Sequence, residues 1–202
     1  MKNFAILGLL VAAGAAHAVT YTYGGPAYAI PDSNVAGVSS QIMGVPALAS
    51  INSVSITMAH TWVGDVILTL SNGSTTVNLI NRTGRVGTSG FGDSSNLAGT
   101  YTFAVAGADF VAAAAGTTGD VPVGTYFSSD MGTATNSSTP NGFFSGAQAA
   151  ADWTLFASDN AGGDTGSIET WSIDGSPVPE PTTMAALGLG LAAVARRRRN
   201  KK

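Results

Sequence analysis

The segment Ile51–Ile80 reads INSVSITMAHTWVGDVILTLSNGSTTVNLI. Val54, Ile56 and Met58 alternate with Ser53, Ser55 and Thr57. That is the period of two of a strand with one face buried. His60-Thr61-Trp62-Val63-Gly64-Asp65 interrupts the pattern, which restarts with Val66, Leu68 and Leu70 on one face and Ile67 and Thr69 on the other. Asn72-Gly73 tolerates positive φ and lets the chain reverse into Thr75–Ile80. The stretch predicts a three-strand meander with a pronounced loop at its first corner.

The composition around it agrees. The chain has 202 residues, of which 26 are Gly and only 10% are charged. Amphipathic helices need charged faces, so this balance disfavours a helical bundle and suits a turn-rich all-β domain. There is no cysteine, which excludes disulfides, thiolate metal sites and cysteine nucleophiles. Further strands are expected at Thr20–Tyr23, at Gln41–Val45 and where Tyr101, Phe103 and Val105 alternate. The glycine-bearing stretch Asn81–Thr100 reads as a long loop, and Ala108–Ala115 as an ambiguous segment, a helical turn over the end of the domain.

Both termini read as address labels. Lys2, the apolar run Phe4–Ala16 and the small residues Ala16 and Ala18 around His17 form a signal peptide spanning 1–18, cleaved before Val19. At the other end, Pro177-Val178-Pro179-Glu180-Pro181 stops any strand. The uncharged run Thr182–Ala195 then predicts a short hydrophobic helix, followed by Arg196, Arg197, Arg198, Arg199 and two lysines. Its fourteen residues fall short of the roughly 20 that cross a bilayer comfortably. The terminal cations would hold that end on the cytoplasmic side. Between Asp32 and Glu180 lie all 12 acidic residues, against only Arg82 and Arg85. Twelve minus two leaves a net charge of −10 on that interval. Nucleic acid is excluded as a partner, because it demands clustered cations.

Two resemblances follow from these residues. Pro179, Glu180 and Pro181, the apolar span and the arginine cluster resemble the PEP-CTERM sorting signal. That resemblance implies recognition by an exosortase, the membrane protease-transpeptidase of Gram-negative bacteria that make extracellular polysaccharide. It also implies secretion, transient anchoring of the precursor in the inner membrane, and a mature form at the cell surface or outside the cell. The second resemblance is to the P domain (P/Homo B domain), the β-sandwich attached to kexin- and furin-like proteases. It rests on Ile30-Pro31-Asp32, on His60-Thr61-Trp62-Val63-Gly64-Asp65, on Gly124-Thr125-Tyr126 and Phe143-Phe144-Ser145-Gly146, and on the strands around Trp153 and Trp171. Asp152 and Phe156 depart from the family pattern. The resemblance implies a jelly-roll-like antiparallel β-sandwich over 19–176, followed by the sorting signal at 177–202.

The chemistry is sparse. His60 is the one histidine left after signal removal, and it sits at a strand corner, so no Ser-His-Asp triad is evident. The chain also lacks the several hundred residues of a subtilisin-like catalytic domain, so it reads as non-catalytic. Asp65, Asp159 and Asp164 lie on glycine-bearing loops. Such carboxylates either ligate Ca²⁺, which some P domains are thought to bind, or accept turn amides. Trp153 and Trp171 belong to strands and read as core, leaving Trp62 as the candidate ligand contact. The expected role is structural or binding, in the surface layer or the polysaccharide matrix. The alternatives are an accessory domain beside a separate subtilisin-like protease and a carbohydrate-binding module.

Overall fold

A computed structural model describes residues 17–85, 90–127, 146–179, 188–192 and 196–197. The elements in chain order are β1 (Val19–Thr22), β2 (Tyr28–Ile30), β3 (Val38–Val45), β4 (Leu48–His60), β5 (Val66–Ser71), β6 (Thr76–Asn81), β7 (Leu97–Ala104), β8 (Ala108–Asp109), α1 (Phe110–Ala115), β9 (Gly124–Phe127), β10 (Ala151–Asp159) and β11 (Gly166–Pro177). They form two sheets. One runs β1-β11-β4-β7-β9-β8, with β2 beside the first residues of β11; the other runs β3-β10-β5-β6.

The alternation seen in the sequence places the core between them. Val54, Ile56 and Met58 of β4, Trp171 and Ile173 of β11, and Tyr101 and Phe103 of β7 are buried from one sheet. Leu68 and Leu70 of β5, and Trp153 and Leu155 of β10, are buried from the other. Burying a large aromatic side chain removes about 150–250 Å² from water, so the two tryptophans are leading apolar contributors. They are core, as their strand positions predicted. A polar pin crosses the layers: Trp171 Nε1 donates to Ser40 Oγ at 2.8 Å, and that hydroxyl also shares a 2.7 Å bond with the Tyr28 phenol. Burial pushes the Tyr28 phenol up from its usual range.

The all-β sandwich is as expected, with three refinements. First, the expected meander does not form. β4 pairs with β11 and β7, whereas β5 pairs with β6 and β10. The corner His60–Asp65 therefore carries the chain from one sheet to the other. Periodicity reports that two strands exist, but not which partners they take. Second, β9 runs parallel to β7 and β8, so the larger sheet is mixed. A parallel pair needs a crossover, here built around α1. Asp109 caps that helix by accepting from Val111 N and Ala112 N. Phe110 packs on Tyr101, Phe103 and Tyr126, with ring centroids 6.1, 5.8 and 5.2 Å apart. Third, the loop expected through Thr100 ends earlier, at β7. Val105 lies beyond β7 and is exposed.

The termini meet the sandwich directly. β1 starts at Val19, the residue after the expected cleavage site. β11 ends at Pro177 opposite Leu48, and Val178 N donates to Ala47 O at 2.9 Å. Residues 188–192 are helical, in line with the expected apolar helix. Among the described residues no helix is long and apolar enough to cross a membrane.

Candidate functional site

The corner at 60–65, the loop entering β7 and the β10–β11 turn converge at one end of the sandwich. Their sequences explain how. A single 3-10 turn, Val63–Asp65, is preceded by Trp62 at φ 64°. Positive φ is a true outlier for a bulky residue, so surrounding bonds must hold it there. Trp62 N donates to Asn96 Oδ1 at 3.3 Å and its indole Nε1 to Phe91 O at 2.8 Å. Val63 N bonds Ser95 O, and Gly64 N bonds Asp93 O. Backbone thus lies against backbone. A β-carbon on Gly64 would sit 2.2 Å from Phe91 O and 2.6 Å from Asp93 N.

Beneath this contact lies a buried polar cluster. Asp65 is 1% exposed, and its Oδ1 accepts from the Arg82 guanidinium at 3.0 Å. Arg82, itself at φ 47°, also donates through Nε to Gly64 O. Burial raises the Asp65 carboxyl; Asp159 and Asp164 push the same way, against the opposing pull of Arg82. Asp159 Oδ2 faces His60 Nε2 at 3.4 Å, with both side chains fully buried. The Asp159 Oδ1 accepts from Ala161 N, and His60 Nδ1 bonds Thr61 O. Asn160 ties the two halves together, donating from its backbone N and its side chain to Asp65 O.

The structure therefore brings Asp65 and Asp159 together, with Asp164 close enough to act on Asp65 electrostatically. Trp62 stands on the outer side of the same corner and is only half-buried, its indole N–H already bonded. Phe91 beside it is 66% exposed. Ala18 is exposed just before β1, and Pro179 is exposed just after β11. Arg196 and Arg197 are exposed and helical. Ala16, Glu180, Pro181, Arg198, Arg199 and the Phe143–Ser145 match lie outside the described residues.

Chemically, this cluster is a lock. Both nitrogens of His60 face oxygens of Thr61 and Asp159, so neither is presented to a hydroxyl as a base. A Ca²⁺ cage needs six to eight oxygens. Here the Asp65 carboxylate is engaged by a guanidinium, and that of Asp159 by an imidazole and an amide. Among the described residues no group of three or more His, Cys, Asp or Glu is arranged around a common point. The sequence reading missed Arg82 and Asn160. A signal for Arg82 existed, since one of only two cations among twelve acids is a strong candidate to be paired with a buried one.

No curated protein matches the sequence. Among solved structures, the fold is similar to a chain in the crystal structure of the complex of Aeromonas sobria serine protease (ASP) and the chaperone (ORF2). The TM-score is 0.38 and the identity 15%, over 80% of this chain and 28% of that one. This chain thus spans under a third of that chain's length. At the C-terminus, directly after the last strand, residues 177–199 match the PEP-CTERM protein-sorting motif, which marks an exported, exosortase-sorted protein.

Proposed function

We propose that this chain is a non-catalytic β-sandwich delivered to the cell surface or the extracellular polysaccharide matrix, where it serves a structural or binding role. The supporting observation is where the sorting motif sits. It begins as β11 ends, and among the described residues the last backbone bond to the sandwich is that of Val178 to Ala47. Pro179-Glu180-Pro181 follows that bond directly in sequence, so a cut there falls after the last strand of both described sheets. In this reading a signal peptidase cuts after Ala18, leaving Val19 both the first residue and the first residue of β1. Exosortase then releases the transiently anchored precursor from the inner membrane.

Protein collected outside the producing cells is expected to have an intact mass that starts at Val19 and ends near Pro179–Pro181. A mass extending to Lys202 overturns the reading.

The same reading makes the aspartates structural. Melting temperatures in Ca²⁺ and in chelator are therefore expected to coincide. Saturation at 100 times a Kd stabilises by about 2.7 kcal/mol, a rise of roughly 5–10 °C for a domain of this size. A rise of that size, removed by Asp159→Asn, would return these residues to cation binding.

A further inference from the structure

The outer face of the larger sheet carries a pattern that the sandwich itself does not use. Strand register places Thr22 opposite Ser172, Ser172 opposite Ser55, Ser55 opposite Thr102, and Thr102 opposite Thr125. Five neighbouring strands thus contribute five hydroxyl side chains to one row. Adjacent strands are about 4.8 Å apart, so the row is about 19 Å long. Two residues along the strands, about 7 Å away, Thr170, Thr57 and Thr100 form a second row in register. All of these side chains are exposed or half-buried.

We propose that this face binds a neutral polysaccharide, laid across the strands along the hydroxyl rows. The inference rests on reading the chain as a protein of the surface or matrix, and it names the partner.

Charge selects the polymer. The described part of the domain has only Arg82 and Arg85 as cations, and Arg82 is committed to Asp65 at the sandwich end. The charges near the rows are acidic: Asp174, held by Thr20 and Asn52, and exposed Glu169 beside Thr170. A polyanion finds nothing here to neutralise it. A protein partner is also disfavoured, because interface cores are enriched in aromatic residues, Met and Arg. The exposed Val35, Met43 and Phe91 lie in loops or on β3, while exposed Val19, Val105 and Val123 lie at the strand ends of this sheet, outside the rows.

The rows are also pre-set for hydrogen bonding. Ser55 and Thr102 share a 2.9 Å bond, as do Thr57 and Thr100. A hydroxyl offers one donor and two acceptor sites, so each pair fixes its orientation and keeps outward capacity for sugar hydroxyls. Threonine is stiff at χ1, which lowers the ordering cost on binding. With no aromatic in either row, affinity must come from many small contacts in step with an extended chain. Retention should therefore be read on a polymer, not on a short oligosaccharide.

The test is depletion of full-length protein by insoluble cellulose, mannan and xylan, with a pectate gel as the anionic comparator. The variant Thr22→Val/Ser55→Ala/Thr102→Val/Thr125→Val removes hydroxyls while nearly conserving shape. The proposal expects retention on at least one neutral polymer, at least tenfold weaker for the variant, with both proteins melting cooperatively within a few degrees of each other. Absence of retention on all three, equal retention of the variant, or preference for pectate overturns it. So does a wild-type dimer that the variant abolishes, which would make the face a self-association surface. A correctly trimmed extracellular protein that fails this assay overturns the face alone. A mass ending in Lys202 overturns the sorting reading whatever the binding result.

Discussion

His60→Ala is expected to destabilise the domain by about 3–5 kcal/mol, the combined cost of a buried polar atom left without its neighbour and the cavity that the imidazole vacates. Asp159 is fully buried, and Oδ2 faces no described polar group other than His60 Nε2 at 3.4 Å. Deleting the imidazole leaves that oxygen neither solvated nor paired. Arg82 cannot replace it, since its guanidinium is bonded to Asp65 and to Gly64 O. Chemical or thermal unfolding gives the number; for a domain near 150 residues the fall in Tm is roughly 10 °C or more. The mechanism is checked by adding Asp159→Asn. If an uncompensated carboxylate is the cause, the double variant is more stable than His60→Ala alone. Equal or lower stability would mean that His60 acts by filling space.

Gly64→Ala is expected to cost about 3 kcal/mol or more, as an over-packed position with no room to yield. The three atoms nearest its added β-carbon are Phe91 O, Asp93 N and Gly92 C, at 2.2, 2.6 and 2.7 Å. All are backbone, so no side-chain rotation relieves the clash. Displacing the loop instead breaks the bonds from Gly64 N to Asp93 O and from Val63 N to Ser95 O. It also withdraws the Phe91 carbonyl that holds the Trp62 indole. Gly73→Ala is the control. Gly73 has φ 83° and open space around its missing β-carbon, so only backbone strain applies, about 1–2 kcal/mol. Equal losses at the two positions would show that close approach at Gly64 is not what matters. Because Trp62 and Phe91 lie outside the buried cluster, Gly64→Ala should also move their fluorescence and accessibility before the core melts.

Local and long-range information are separable in this chain. The alternation through Val54–Met58 and Val66–Leu70, the turn at Asn72-Gly73 and the core positions of Trp153 and Trp171 were legible in the sequence. Each depends on a period of two or on a residue's own φ preference, and both are properties of neighbouring positions. The tail at 177–199 was legible for a similar reason, since a linear signal is read as a sequence. Strand partnership was not. Whether β4 continues into β5 or takes β11 and β7 depends on which pairing buries both inner faces, and distant segments decide that. The engagement of the aspartates was hidden likewise: the sequence showed carboxylates on glycine loops, but Arg82 and His60 reach them only once three loops have converged. The hydroxyl rows show the same division. The hydroxyl-x-hydroxyl spacings at Thr20/Thr22, Ser53/Ser55, Thr100/Thr102 and Thr170/Ser172 are plain in the chain. Their alignment into one continuous face follows from inter-strand register, which backbone hydrogen bonding and core packing set together and which exists only in the assembled sheet.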